Sequence, residues 1–399
     1  MDAKLDNISN LGIYVHIPFC HTKCTYCDFN TYTGIENLIN DFSKALYQEI
    51  EFWSITNSNY IVNSIFIGGG TPSYIDQKII HNIIEHIRGN FNLDERCEIT
   101  IEINPEDVTH HKALLWEKSG INRTSIGIQS LDDKELKIIN RRHNADTALN
   151  SLKTLQSIFD NCSVDIIYGL PNQSINSYTN TLRKLIDEQP DHFSSYSLQV
   201  ERGTLLEKQV INKNLQVAGD ELSATMYEKT MKLLKENGYE QYEISNWSLK
   251  NKRSLHNMKY WQLYPYIGIG PGAHSYINKK RFSIIKSPKK YTDFFGQKQN
   301  KKSINEKIQY LNNNEMLDLY ENQNKKNHII EYLMLRLRLS DGISKKEFSD
   351  YFGIDFDNSY YNKIKKYIEN EILINYRDRY YLSEKGKLFA NEVAESFVE

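Results

Sequence analysis

Between residue 11 and about residue 200, short apolar runs alternate with amphipathic stretches of helical length. The runs at 12–17, 64–68, 98–103, 123–128, 164–168 and 192–198 are too short for helices and are built on β-branched and aromatic residues, so they read as strands. The stretches near 37–54, 76–89, 109–118, 132–139, 145–159 and 175–188 read as helices. This alternation predicts an α/β fold, with parallel strands joined by right-handed crossovers. Six units fit the space. That suffices for an open, partial (β/α)6 barrel and falls short of the eight of a closed one. In such sheets, ligand chemistry gathers beyond the carboxyl ends of the strands.

Further on the pattern changes. A lysine- and asparagine-rich stretch covers about 278–327, followed by a helix at 328–339 and a second at 344–352 opened by a serine cap. A helix near 357–370, a hairpin of 372–376 with 380–382 and a closing helix from Ser383 complete the chain. Helices followed by a short hairpin resemble a small winged-helix module. The expected organisation is a tail (1–10), a partial barrel (11–215), a region completing the barrel (216–327) and a C-terminal winged-helix-like α+β domain (328–399).

Composition narrows the functional classes. The chain is 40% hydrophobic and 25% charged, with 49 basic and 51 acidic residues and a net charge of −2. That balance gives no electrostatic reason to expect nucleic-acid binding, and the basic clusters at 286–290 and 363–366 read as solvated faces. The first residues are polar and lack the apolar core of a secretory signal. No run of about 18 apolar residues predicts a transmembrane span. Five cysteines, three of them within eight positions, do not form a disulfide framework and favour a reducing, cytoplasmic setting.

Those three are Cys20, Cys24 and Cys27, spaced C-x3-C-x2-C in the loop after the first strand. Thiolates suit iron–sulfur clusters or zinc. Three thiolates on a four-iron cluster leave one iron open to a chelating small molecule. A zinc site completed by His16 or His21, or three unrelated buried thiols, are the alternatives. The loop after the second strand is Gly68-Gly69-Gly70-Thr71-Pro72, whose backbone can approach a ligand closely. Glu102, Gln129 and Asp165 place polar groups within otherwise apolar strands, and Arg141 follows the fourth. A carboxylate in a buried strand is costly unless partnered, so together they read as the lining of one site.

The cysteine spacing followed by the glycine loop resembles the radical S-adenosylmethionine (SAM) superfamily. The segments 14–20 (YVHIPFC), 165–171 (DIIYGLP) and 256–261 (HNMKYW) resemble its HemN/HemW family over nearly the whole chain. The resemblance implies a partial barrel with a 4Fe–4S cluster on Cys20, Cys24 and Cys27. It implies a SAM site formed by Tyr14, Gly69, Gly70, Thr71, Glu102, Gln129, Arg141 and Asp165. One electron from the reduced cluster would cleave the S–C5′ bond of SAM, leaving methionine and a 5′-deoxyadenosyl radical.

Within the family, the oxygen-independent coproporphyrinogen III oxidase extends its motif to a fourth cysteine, binds a second SAM and carries an N-terminal extension. Here Phe29 stands at the fourth position, and the first strand begins by residue 12. Both departures point to the HemW branch, regarded as haem chaperones, and away from the oxidase. Tyr26, Gln129, Arg141 and Asp165, which match second-SAM positions of the oxidase, serve the single SAM or simply pack. The branch implies haem as cargo, haem-accepting (respiratory) proteins as partners, and an electron donor such as flavodoxin or ferredoxin. A homodimer and peripheral membrane contact stay open. His256 is the candidate haem ligand, with core packing as its alternative; His16, His21 and His143 are further candidates. The glycine-rich 264–274 segment reads as a loop closing the barrel mouth or as a strand and turn. A radical SAM oxidase acting on coproporphyrinogen III or a related tetrapyrrole is the competing reading, and SAM cleavage is compatible with either.

Overall fold

The computed structural model describes residues 10–297, 303–322 and 324–397. The polar tail up to residue 9 and residues 298–302 of the lysine- and asparagine-rich stretch lie outside the described residues.

The six expected repeats are present. Strands β1 (Asn10–Ile17), β2 (Ile61–Gly69), β3 (Asn92–Ile103), β4 (Arg123–Gln129), β5 (Cys162–Tyr168) and β6 (His192–Ser197) pair in sequence order, all parallel. Between them run α1 (Ile39–Ser54), α2 (Gln77–Asn90), α3 (His110–Lys118), α4 (Asp133–Ile138), α5 (Ala145–Gln156) and α6 (Ile175–Asp187). The side chains of Asp76, Thr109, Asp132, Asn144 and Ser174 cap α2 to α6, each accepting a backbone N–H of the first turn.

Side-chain alternation gives the sheet two different faces. Ile13, Val15, Ile65, Ile67, Ile99, Ile101, Ile126, Ile128, Val164 and Ile166 point outward into one apolar core shared with the helices. The opposite face holds Tyr14, His16, Ser64, Phe66, Glu102, Ser125 and Asp165, which meet one another in the barrel interior. The polar residues of the apolar runs are thus the inward positions of strands whose outward positions make the core.

The chain then extends the sheet at both edges. After α7 (Leu205–Ile211) and α8 (Asp220–Glu236), β7 (Glu240–Glu243) and β8 (Asn246–Ser248) add beyond β6. After α9 (Leu255–Gln262), strand β9 (Tyr266–Ile269) pairs parallel to β1. Antiparallel β10 (His274–Ile277), β11 (Lys280–Ile284) and β12 (Leu317–Asn322) continue that edge, interrupted by α10 (Pro288–Phe295) and α11 (Ile304–Asn313). The resulting twelve-stranded order stays open.

The remainder packs around a second apolar core. It comprises α12 (Lys325–Arg338), β13 (Ile343–Ser344), α13 (Lys345–Phe352), α14 (Phe356–Glu369), the hairpin β14 (Leu373–Tyr376) and β15 (Arg379–Leu382), and the short α15 (Glu384–Lys387) and α16 (Ala390–Ser396). Its sheet is three-stranded and antiparallel, and Ser344 caps α13 by accepting the Glu347 N–H. Arg338 reaches back to the sheet edge, 3.7 Å from the buried Glu243 carboxylate and 4.9 Å from the Trp261 ring centroid. Among the described residues, no helix is long and apolar enough to cross a membrane.

Candidate cluster and SAM site

The cysteine loop leaves β1 at its carboxyl end and is held by its neighbours. The Gly70 N–H donates to Ile17 O at 2.7 Å and the Thr71 N–H to Phe19 O at 2.9 Å, fastening the glycine loop to the cysteine loop. The Cys20 N–H donates to Tyr32 O, and the Tyr32 N–H to Pro18 O, closing the base of the loop. Gly69 sits at φ +112°, and a Cβ on Gly70 would lie 3.0 Å from Cys20 Sγ, so side chains there would block the approach of the two loops.

All three cysteines are free thiols. The Thr71 hydroxyl donates to Cys20 Sγ at 3.4 Å, and Arg141 Nη1 lies 3.6 Å from Cys24 Sγ. Burial pushes the Cys20 and Cys27 thiols up. Arg141 is fixed by Gly127 O at 2.6 Å and Asn104 Oδ1 at 2.9 Å, while its buried Nε has no protein partner. A polar pocket beside Cys24 is lined by His21, Thr71, Asn104, Arg141 and Arg142.

Among the described residues, no three or more His, Cys, Asp or Glu side chains converge to hold a single metal ion. His16 is also committed elsewhere: its Nδ1 meets the Tyr14 hydroxyl at 3.0 Å and its Nε2 meets Asn30 O at 2.9 Å. Completion of a zinc site by His16 therefore does not fit. Donors at Thr71 and Arg141 beside the Cys20 and Cys24 sulfurs, a polar pocket next to Cys24 and an unpartnered buried Arg141 Nε fit thiolates and an anionic ligand group better.

The lining residues of β2 to β5 come together inside the barrel. Glu102 Oε2 accepts the Gly69 N–H at 3.0 Å, and burial, reinforced by Asp165, lifts its carboxyl to about 8. Both Asp165 oxygens lie within 3.1 Å of the Ser125 hydroxyl, and burial raises this carboxyl as well. Gln129 ends β4 at φ 67°, where the pairing with β5 shifts register. Tyr26 packs against a small apolar cluster of Ile139, Ile167 and Leu170, and burial raises its hydroxyl. Asn104 was not anticipated from the sequence, although it follows β3 directly and bonds both Arg141 and Thr71.

The histidines divide sharply. His256 is fully buried at the level of Gly12 and Phe66, not at the cysteine loop. Its Nδ1 meets the Ser64 hydroxyl at 3.0 Å, its Nε2 meets the Tyr260 hydroxyl at 2.8 Å, and its backbone N–H donates to Glu98. Burial, with Lys259 nearby, drops its imidazole to about 3. Neither ring nitrogen can ligate iron without first breaking one of these bonds. His143 is likewise closed, between Glu106 and Ile128 O. His21 is exposed at the lip, edge-on to Tyr74.

Residues 14–185 match the Radical SAM superfamily and residues 323–389 the HemN C-terminal domain. The chain is 35% identical to a haem chaperone HemW of Buchnera aphidicola subsp. Acyrthosiphon pisum, covering 98% of each chain. It is 31% identical to the HemW haem chaperone of Bacillus subtilis, covering 96% of this chain and 98% of that one. Its fold is similar to the solved structure of coproporphyrinogen III oxidase (HemN) from Escherichia coli, with a TM-score of 0.81 at 20% identity over 98% of this chain and 90% of that one. The chain therefore belongs to the HemN/HemW family of radical SAM proteins, on the HemW side.

Proposed function

We propose that this chain is a haem chaperone that carries a 4Fe–4S cluster on Cys20, Cys24 and Cys27, takes SAM beside it, and passes bound haem to haem-accepting proteins. The end-to-end likeness to two haem chaperones carries the reading. Phe29 supports it: where the family's oxidase has a fourth cysteine, this ring stands 61% exposed.

When bound, the reduced cluster supplies one electron for cleavage of SAM. The chain's own residues bind and orient. Arg141 offers a guanidinium beside Cys24 to a carboxylate, and Glu102 sets the Gly69 peptide by accepting its N–H. Asp165 offers buried carboxyl oxygens to hydroxyl donors. The water-poor interior between these groups strengthens each contact. A cytoplasmic setting with flavodoxin or ferredoxin as reductant fits the need to keep the cluster reduced.

The test uses anaerobically reconstituted protein, titrated with hemin and assayed separately with coproporphyrinogen III. Stable haem binding, transfer to an apo-cytochrome and no protoporphyrinogen are expected. Formation of protoporphyrinogen at turnover rates would replace the chaperone with the oxidase. Cys24→Ala should abolish the iron–sulfur absorbance, and an unchanged spectrum would overturn the cluster assignment.

A further inference from the structure

Three residues beyond Cys27, the chain passes through Asn30, whose side chain does unusual duty for a loop residue. Its Nδ2 donates to Pro271 O and to Lys286 O, both at 2.9 Å. Its Oδ1 accepts from the Tyr32 hydroxyl at 3.0 Å, and that hydroxyl also lies 3.2 Å from Lys286 O. Its own backbone carbonyl accepts His16 Nε2 at 2.9 Å. One residue thus bonds β1, the returning arm of the cysteine loop, the β9–β10 turn and the segment after β11.

The surroundings are cut to this contact. A Cβ on Gly272, at φ +80°, would lie 2.6 Å from Asn30 Nδ2, so only glycine lets the turn come this close. Glu49, buried in α1, holds the same turn from behind by accepting the Gly270 N–H at 2.7 Å and the Tyr291 hydroxyl at 2.7 Å. The turn is thus bonded from both sides, by Glu49 and by Asn30. In the cysteine loop, the Cys27 N–H donates to Cys24 O at 3.2 Å and its thiol lies 4.0 Å from the Thr31 hydroxyl.

We propose that Asn30 is a positioning residue that clamps the Cys27 arm of the cluster loop to the β9–β10 turn, so that the third thiolate is presented at a fixed place and direction. The inference rests on the cluster reading above. Through the clamp, the strands added beyond β1 become part of the cluster site. Asn30 supplies no thiolate; it acts through the backbone between itself and Cys27. Among side chains of this size, only an amide can serve both carbonyls and the tyrosine hydroxyl together. Aspartate keeps the shape and the acceptor but faces two carbonyls with no donor.

The test compares reconstituted wild type with Asn30→Asp, Asn30→Ala and Gly272→Ala. The last attacks the contact from the other side and leaves the cysteine loop's sequence intact. Iron release to a chelator and the electron paramagnetic resonance spectrum of the reduced cluster, with and without SAM, are the readouts. Thermal unfolding of the apoproteins controls for fold. About tenfold faster iron release is expected, equivalent to about 1.4 kcal/mol of lost clamp. An altered resonance line shape is expected in Asn30→Asp, at near-wild-type apoprotein melting. If Asn30→Ala does not fold, Gly272→Ala must show the same release and line-shape change. Wild-type release and spectra in the variants that fold would overturn the clamp. A wild-type protein that takes up no cluster would instead overturn the cluster reading.

Discussion

Replacing His256 by alanine separates a core histidine from a haem ligand. The substitution removes two side-chain hydrogen bonds, to Ser64 and Tyr260, each worth about 1 kcal/mol net. It strands two buried hydroxyls and leaves a cavity against Phe66 and Tyr14, whose rings lie 5.4 and 6.5 Å from the imidazole centroid. Together these amount to a loss of about 3 kcal/mol. Melting temperature falls by about 2–4 °C per kcal/mol in domains of 150–250 residues, and by less in longer chains, so a drop of several degrees is expected. The assay is thermal unfolding of the apoprotein by circular dichroism, alongside hemin titration below the variant's melting point. Hemin affinity should hold while the fold is intact. An apoprotein melting within about 1 °C of wild type, combined with loss of the haem Soret band, would refute the reasoning and make His256 a ligand.

Glu102 should give a pH signature. Its folded carboxyl titrates at about 8 against an ordinary 4.5, so the fold keeps a proton that the unfolded chain has released. Stability from this group is therefore full below 4.5 and declines as pH rises towards 8. Glu102→Gln, which mimics the protonated form, should remove that decline, worth on the order of a few kcal/mol; parallel urea-unfolding curves for both proteins from pH 5 to about 8.5 would contradict it. Arg338→Ala leaves the buried Glu243 carboxylate without its cation, and because Arg338 is partly exposed the cost should be about 2 kcal/mol, short of a fully buried pair. An unchanged denaturation midpoint would show that Arg338 does not hold the C-terminal region against β7. Phe29→Ser should leave melting temperature within noise and cluster content unchanged, since the ring is exposed; loss of iron would mean that the ring shields the cluster.

The sequence alone determined the repeat and its chemistry. Strand and helix patterns are local, so the six βα units could be read from them, and with them the loops at the carboxyl ends of β1 and β2. The inward polar positions at Glu102, Gln129 and Asp165 were legible because alternation along a strand is a two-residue rule. Cysteine spacing named the cluster loop for the same reason.

Only the tertiary structure decided the rest, because it depends on pairings between distant segments. The 264–274 segment supplies a seventh parallel strand, β9, together with the turn that meets Asn30. No periodicity within eleven residues announces a partner some 250 positions away. His256 was open in the sequence between haem ligand and core residue. Only folding brings that ring onto Ser64 and Tyr260 inside the barrel. Asn104 and Asn30 carried no signal of their own, since an asparagine after a strand is commonly a turn residue. Their importance comes from where Arg141, Pro271 and Lys286 arrive.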